Sequence, residues 1–186
     1  MNYALIRKND IANGPGVRVS LFVSGCRHHC KGCFNPETWS FSYGKPFTDE
    51  SVEEILTALK PEYVSGLSLL GGEPFEPENQ EAVLSLVKKV KETMPEKSIW
   101  CYTGFLFENI RGGKVGDPTV ANELLSHIDV LVDGKFVEGL KDLSLLFRGS
   151  SNQRILDVKA SLSGGEAIWL AGTWQRNMGS GNIYDK

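Results

Sequence analysis

Short apolar runs and longer stretches of helical periodicity alternate along this chain, and that alternation restricts its fold more than any single motif. Val17–Val23 is β-branched and largely apolar, reads as a strand, and ends at Ser24-Gly25. Thr48-Asp49-Glu50-Ser51 then has the chemistry of a helix start. Thr48 is the N-cap, Ser51 stands three residues on, and acids fill the first turn. Val52, Ile55, Leu56 and Leu59 share a face of that helix, and Pro61 stops it. Residues 64–70 predict a second strand, running into Gly71-Gly72-Glu73-Pro74. A second helix over about 78–93 turns Val83, Leu84, Leu86, Val87 and Val90 inward. Residues 98–103 form a third strand closed by Gly104, and a helical stretch at 119–126 precedes a fourth strand at 128–132. Residues 154–158 are a candidate fifth. Residues 9–16 read as a turn-rich connection, and 35–47 as aromatic and irregular.

Strands that alternate with helices predict an α/β protein with a mostly parallel sheet wound right-handed. At 186 residues the chain is too short for a full eight-fold barrel of about 250 residues. The expectation is a partial, open (β/α)6-type barrel over residues 1–160, followed by a Gly/Ser-rich tail at 161–186 that carries Trp169, Trp174 and Tyr184. A net charge of −3 gives no reason to expect nucleic acid or an anionic membrane as the partner. No apolar run approaches the roughly 20 residues of a membrane span. The first eight residues lack the layout of a signal peptide. A cytoplasmic location follows, where clustered thiols bind metal or do redox chemistry more often than they form bridges.

In parallel sheets function gathers where strands end. Four polar or glycine-rich loops fall there: the cysteine loop after Val23, Gly71-Gly72-Glu73-Pro74, Thr103-Gly104, and Asp133-Gly134-Lys135. Three of the chain's four cysteines lie in the first, at Cys26, Cys30 and Cys33, spaced C-x3-C-x2-C. Thiolates are soft ligands suited to iron–sulfur clusters. A [4Fe–4S] cubane on three cysteines keeps one iron open, as catalytic metal sites do. The alternatives are a zinc site completed by His28 or His29, and plain reduced thiols. Zinc ligands usually come as pairs set apart by a longer spacer, whereas these crowd into eight residues. His28 and His29 read as loop or surface residues. Cys101 sits between Trp100 and Tyr102 and reads as core rather than as a fourth ligand. Gly71-Gly72-Glu73-Pro74 is either a tight turn or a place where backbone approaches a small ligand. The similar Ser163-Gly164-Gly165-Glu166 lacks the proline and reads as coincidence. Asp133-Gly134 is compatible with a surface turn. The stretch from Arg148 to Arg154 reads as a solvated connection or as a contact with a ligand or partner.

C-x3-C-x2-C after one strand and Gly-Gly-Glu-Pro after the next resemble the radical S-adenosylmethionine (SAM) superfamily. Asn13-Gly14-Pro15-Gly16, Leu21-Phe22-Val23-Ser24-Gly25-Cys26, Gly32-Cys33-Phe34-Asn35, Leu131-Val132-Asp133-Gly134-Lys135-Phe136 and Arg148-Gly149-Ser150-Ser151-Asn152-Gln153-Arg154 narrow the resemblance. They are similar to the activators of anaerobic ribonucleoside-triphosphate reductase, a family of glycyl-radical activating enzymes. The resemblance implies that Cys26, Cys30 and Cys33 hold a [4Fe–4S] cluster and that its open iron chelates SAM. Gly71, Gly72 and Glu73 would receive the methionine amino group, and Asp133 and Lys135 would lie near the methionine carboxylate. Gly32 stands where many relatives carry an aromatic beside adenine, which leaves the adenine contacts unassigned; Phe34 would serve instead, and Gly32, Cys33 and Phe34 are the candidate cofactor contacts here. Reductive cleavage of SAM would give a 5′-deoxyadenosyl radical that abstracts a glycine Cα hydrogen from the large reductase subunit. A flavodoxin- or ferredoxin-like cytosolic donor would supply the electron. The rival readings are a radical enzyme with another target, and a non-enzymatic zinc or iron–sulfur module. Trp169 and Trp174 are candidate anchors for the reductase.

Overall fold

The computed structural model describes residues 1–172. Trp174 and Tyr184, and with them part of the expected tail and docking anchor, lie outside the described residues. Seven strands form one open sheet in the order β3-β1-β2-β4-β5-β6-β7. They are β1 (Asn2–Asp10), β2 (Val17–Val23), β3 (Lys45–Pro46), β4 (Val64–Gly71), β5 (Ser98–Tyr102), β6 (Val130–Asp133) and β7 (Arg154–Asp157). The helices are α1 (Asp49–Leu59), α2 (Pro77–Thr93), α3 (Phe107–Arg111), α4 (Pro118–Ser126) and α5 (Val158–Gly164).

β2, β4, β5 and β6 pair in parallel, and each crossover between them carries helix, as parallel connections require. Three of these four strands are almost wholly buried, which is why they read as largely apolar, with Arg18, Ser20 and Ser68 as buried polar exceptions. The expected α/β class and mostly parallel open sheet hold. The sheet does not close, and its flanks differ from the parallel repeat expected of a barrel: β1, β3 and β7 all pair antiparallel. β1 was not expected at all. It lies between β2 and the two-residue edge strand β3, has two register shifts against β2, and its short apolar stretch gives way to Arg7, Lys8, Asn9 and Asp10.

Side chains alternate across the sheet. Val19, Leu21 and Val23 of β2, with Leu67 and Leu69 of β4, join Val52, Ile55 and Leu59 of α1 and Val83, Val87 and Val90 of α2 in the main core. The opposite face carries Trp100, Val130, Val132 and Ile155, packed with Tyr102, Phe147 and Leu170 and with no helix residue. That face is roofed by connections. Arg18 is fully buried on β2, where its guanidinium donates to the Leu67 and Ser98 carbonyls and to the Ser68 hydroxyl at 2.7–2.8 Å. Ser68 in turn donates to the Asn13 carbonyl at 2.6 Å, so the 11–16 turn is tied down across the sheet.

The boundary expected at residue 160 falls inside α5. Ser161 is buried and accepts from the Ile168 N–H at 2.8 Å, and Trp169 bridges to Leu156 of β7. Gly165 caps α5 at its C-terminus with a left-handed φ of 83°, so the second Gly-Gly-Glu is a helix stop, unlike the first.

Candidate functional site

The cysteine loop leaves the C-terminal end of β2 and is stitched to its neighbours by backbone. Cys26 N–H donates to the Trp39 carbonyl at 3.1 Å, and Gly25 N–H to that of Thr38 at 2.7 Å. The loop after β4 then hydrogen-bonds directly to it: Gly72 N–H to Val23 O at 2.7 Å and Glu73 N–H to Gly25 O at 2.8 Å. This approach demands glycine. A Cβ on Gly72 would lie 2.6 Å from the Gly25 oxygen, and Gly71 has φ of 100°. Asn79 of α2 closes the junction by donating to the carbonyls of Ser24 and Glu73 at 3.0 and 2.9 Å. Arg27 clamps the outer side, reaching Glu76 and Glu78 and standing 4.3 Å over the Phe41 ring. The Arg27 guanidinium pulls the Glu78 carboxyl down to about 2.

Glu73 is the centre of the site. Its side chain is 1% exposed. Oε1 accepts from the Thr103 hydroxyl at 2.8 Å and from Phe75 N–H at 2.9 Å. Oε2 accepts from Gly104 N–H at 2.7 Å and lies 3.0 Å from His28 Nε2. A carboxylate only accepts, so the imidazole N–H is the donor there. His28 lies in the loop, as expected, but not at the surface: its side chain is 8% exposed and packs edge-on against Phe105 at 4.4 Å. A Cβ on Gly104 would come within 2.3 Å of its ring. His29 stacks on Trp39 at 4.7 Å and takes a left-handed φ of 46°.

Cys26, Cys30 and Cys33 line one cavity of about 750 Å³, together with Gly71, Gly72, Glu73 and Phe34. All three thiols are free. Among the described residues, no three His, Cys, Asp or Glu side chains gather closely enough to hold a single ion. The sulfurs are provided for. The His28 and His29 N–H groups face Cys26, the Phe136 N–H faces Cys30, and the Asn35 N–H reaches the Cys33 sulfur at 3.4 Å. N–H donors on the sulfurs are how a protein tunes an iron–sulfur centre. Burial pushes the Cys26 thiol up to about 12 and raises that of Cys30. Such thiols give up their protons readily only to a cationic centre. The donor set fits a [4Fe–4S] cluster on these three residues.

The remaining sequence-predicted residues divide. Phe34 is 59% exposed at the cavity rim and meets Phe136 at 5.2 Å. Gly32, Asp133 and Lys135 do not line the cavity. Asp133 is fully buried beneath it, where Arg154 supplies Nε at 2.9 Å and Nη2 at 2.5 Å and Phe107 N–H donates at 2.8 Å. Lys135 is exposed, and its charge favours the Cys30 thiolate. Cys101 is fully buried in the core, and burial holds its thiol well above the usual range. Sequence reasoning missed His28, Tyr102, and the way residues 134–153 fold back over the sheet, bringing Phe136, Phe147, Arg148 and Gln153 to the cavity.

An open α/β sheet whose strand ends present three converging cysteines and a glycine-rich loop defines a class of iron–sulfur protein. Residues 12–156 match the family model described as a 4Fe-4S single cluster domain. Curated relatives are anaerobic ribonucleoside-triphosphate reductase-activating proteins. That of Vibrio cholerae is 46% identical over 157 residues, covering 83% of this chain and 97% of the relative. Those of Enterobacteria phage T4 and Escherichia coli K12 are 44% and 43% identical over 155 residues, covering 83% and 82% of this chain and 93% and 96% of theirs. The chain belongs to the anaerobic ribonucleoside-triphosphate reductase-activating protein family.

Proposed function

We propose that this chain activates an anaerobic ribonucleoside-triphosphate reductase as a radical SAM enzyme, with the cluster on Cys26, Cys30 and Cys33 and SAM held along Gly71, Gly72 and Glu73. The observation that carries this reading is the shared cavity onto which the three thiols and that loop open. When bound, the cluster and SAM supply one-electron reduction of the sulfonium, which breaks its C5′–S bond to release methionine and a carbon radical able to take a glycine Cα hydrogen from the reductase.

The chain's own residues do the placing. Three cysteines leave one iron without a protein ligand, a vacancy for the cofactor's amino and carboxylate groups. The backbone of Gly71 and Gly72 runs along the cavity wall with no side chain to hold a ligand off. His28, Thr103 and Gly104 fix the Glu73 carboxylate, so that its negative charge favours an ammonium near the Gly71-Gly72 backbone without reorganising. Phe22, Leu70, Phe136 and Phe147 give the cavity apolar walls that exclude water from reactive species. The partners are the large glycyl-radical subunit and a flavodoxin- or ferredoxin-like cytosolic donor. Anaerobic reconstitution with iron and sulfide, then dithionite and SAM, yields 5′-deoxyadenosine in the wild type and Cys101→Ala but none in Cys26→Ala. A fully loaded wild type that yields none refutes the radical reading. Cleavage without a glycyl radical signal on the added reductase redirects it to another target.

A further inference from the structure

We infer that the Tyr102 hydroxyl and the Arg148 Nε–H form a recognition site for main-chain carbonyl oxygens of the glycine-bearing polypeptide segment that the cavity admits, an inference that rests on the function proposed above. Both residues line the cavity. Tyr102 ends β5 and packs on the sheet face whose apolar cluster includes no helix residue among the described residues. Arg148 reaches the cavity from the 134–153 connection.

The two donor atoms are buried and have no hydrogen-bond partner among the described residues. Buried polar groups are nearly always paired, so each such exception calls for an explanation. Neither side chain is adrift. Arg148 Nη1 donates to the carbonyls of Gln153 at 2.7 Å and Ser151 at 3.3 Å, and the guanidinium stands 5.5 Å over the Trp169 ring. Burial raises the Tyr102 phenol above its ordinary range, so it remains an O–H donor.

Two side-chain acceptors of the cavity, Glu73 and Gln153, are already engaged. Glu73 has all four of its partners, and Gln153 Oε1 accepts from the Gly149 and Ser150 N–H groups. Two fixed donors with no acceptor therefore await oxygens from a ligand. A glycine offers no side chain to be read, so its neighbouring carbonyls are the polar marks that it presents. Phe22, Leu70 and Phe147 nearby suit an uncharged main chain. The other source of acceptor oxygens is the methionine carboxylate of SAM, and the experiment separates the two.

Tyr102→Phe in the full, cluster-loaded chain removes only the unpartnered oxygen. Its thermal midpoint is expected not to fall, because an unpaired hydroxyl adds nothing to the fold. Affinity for a synthetic peptide spanning the radical-site glycine of the reductase is expected to drop about tenfold, the worth of one hydrogen bond. Arg148→Lys, which keeps the charge without the Nε–H, is expected to act in the same direction. Unchanged peptide affinity in both variants overturns the inference, since the donors then hold water only. An equal loss of SAM affinity assigns the acceptor to the cofactor and also overturns it, as does a lowered midpoint in Tyr102→Phe. A loaded wild type that cannot cleave SAM sinks the proposed function itself. A wild type that cleaves SAM and binds the peptide, beside an unaffected Tyr102→Phe, sinks this inference alone.

Discussion

Glu73→Gln tests how the site is held together before any cofactor enters. The carboxylate takes Thr103 Oγ1 and Phe75 N–H on one oxygen, and Gly104 N–H and His28 on the other. A glutamine must put an NH2 where one oxygen stood. If it replaces Oε1, Thr103 can turn to accept, but the Phe75 N–H faces another donor. If it replaces Oε2, His28 can change tautomer, but the Gly104 N–H is stranded. Either way one buried backbone N–H loses its partner, at a cost of about 1–3 kcal/mol. For a chain of this size that lowers the thermal midpoint by roughly 2–12 °C. Circular dichroism melts of the reduced, metal-free chain measure it. Glu73→Ala strands both N–H groups and is expected to cost about twice as much. A Glu73→Gln melt superimposable on the wild type would refute the four-partner account of this carboxylate.

Two further outcomes follow from charge. Asp133→Asn weakens the pair with Arg154, which keeps its two contacts to Glu108, and is expected to destabilise by about 1–3 kcal/mol in urea titration. Near-neutral behaviour would remove Asp133 as the anchor of β6 to β7. The Arg27 guanidinium depresses the folded-state Glu78 carboxyl from 4.5 to about 2, so this pair's contribution is present above the ordinary carboxylate range and is lost as pH falls from about 4.5 toward 2. Arg27→Gln is expected to flatten that part of the stability–pH curve and to leave the neutral-to-alkaline part parallel to wild type. An unchanged acid limb contradicts the pairing.

The parallel strands and their crossover helices were legible because burial concentrates apolar residues in them, as at Leu67, Leu69, Ile99 and Leu131. β1 was not, because Tyr3-Ala4-Leu5-Ile6 is partly exposed and runs straight into Arg7, Lys8, Asn9 and Asp10, so no apolar pattern spans the strand. At five residues, α3 is too short to show a period. Within the site, cysteines and paired glycines announce their chemistry by residue type. His28 does not, since its meaning comes from Glu73, 45 residues away. Arg148 shares that fate: a polar stretch reads as solvated until the chain is seen to fold back over the sheet.

The backbone stitches from Gly72 to Val23 and from Glu73 to Gly25 have a consequence for assembly. The cysteine loop and its neighbour take their shape from strand-end hydrogen bonds that need no metal. With the cluster on these cysteines as proposed, iron and sulfide would be received by a socket already in register, in contrast to small zinc domains whose folding and metal binding are one event. A chelator should empty such a protein without unravelling it. A chain that has lost its cluster to air can be refilled without passing again through the unfolded state.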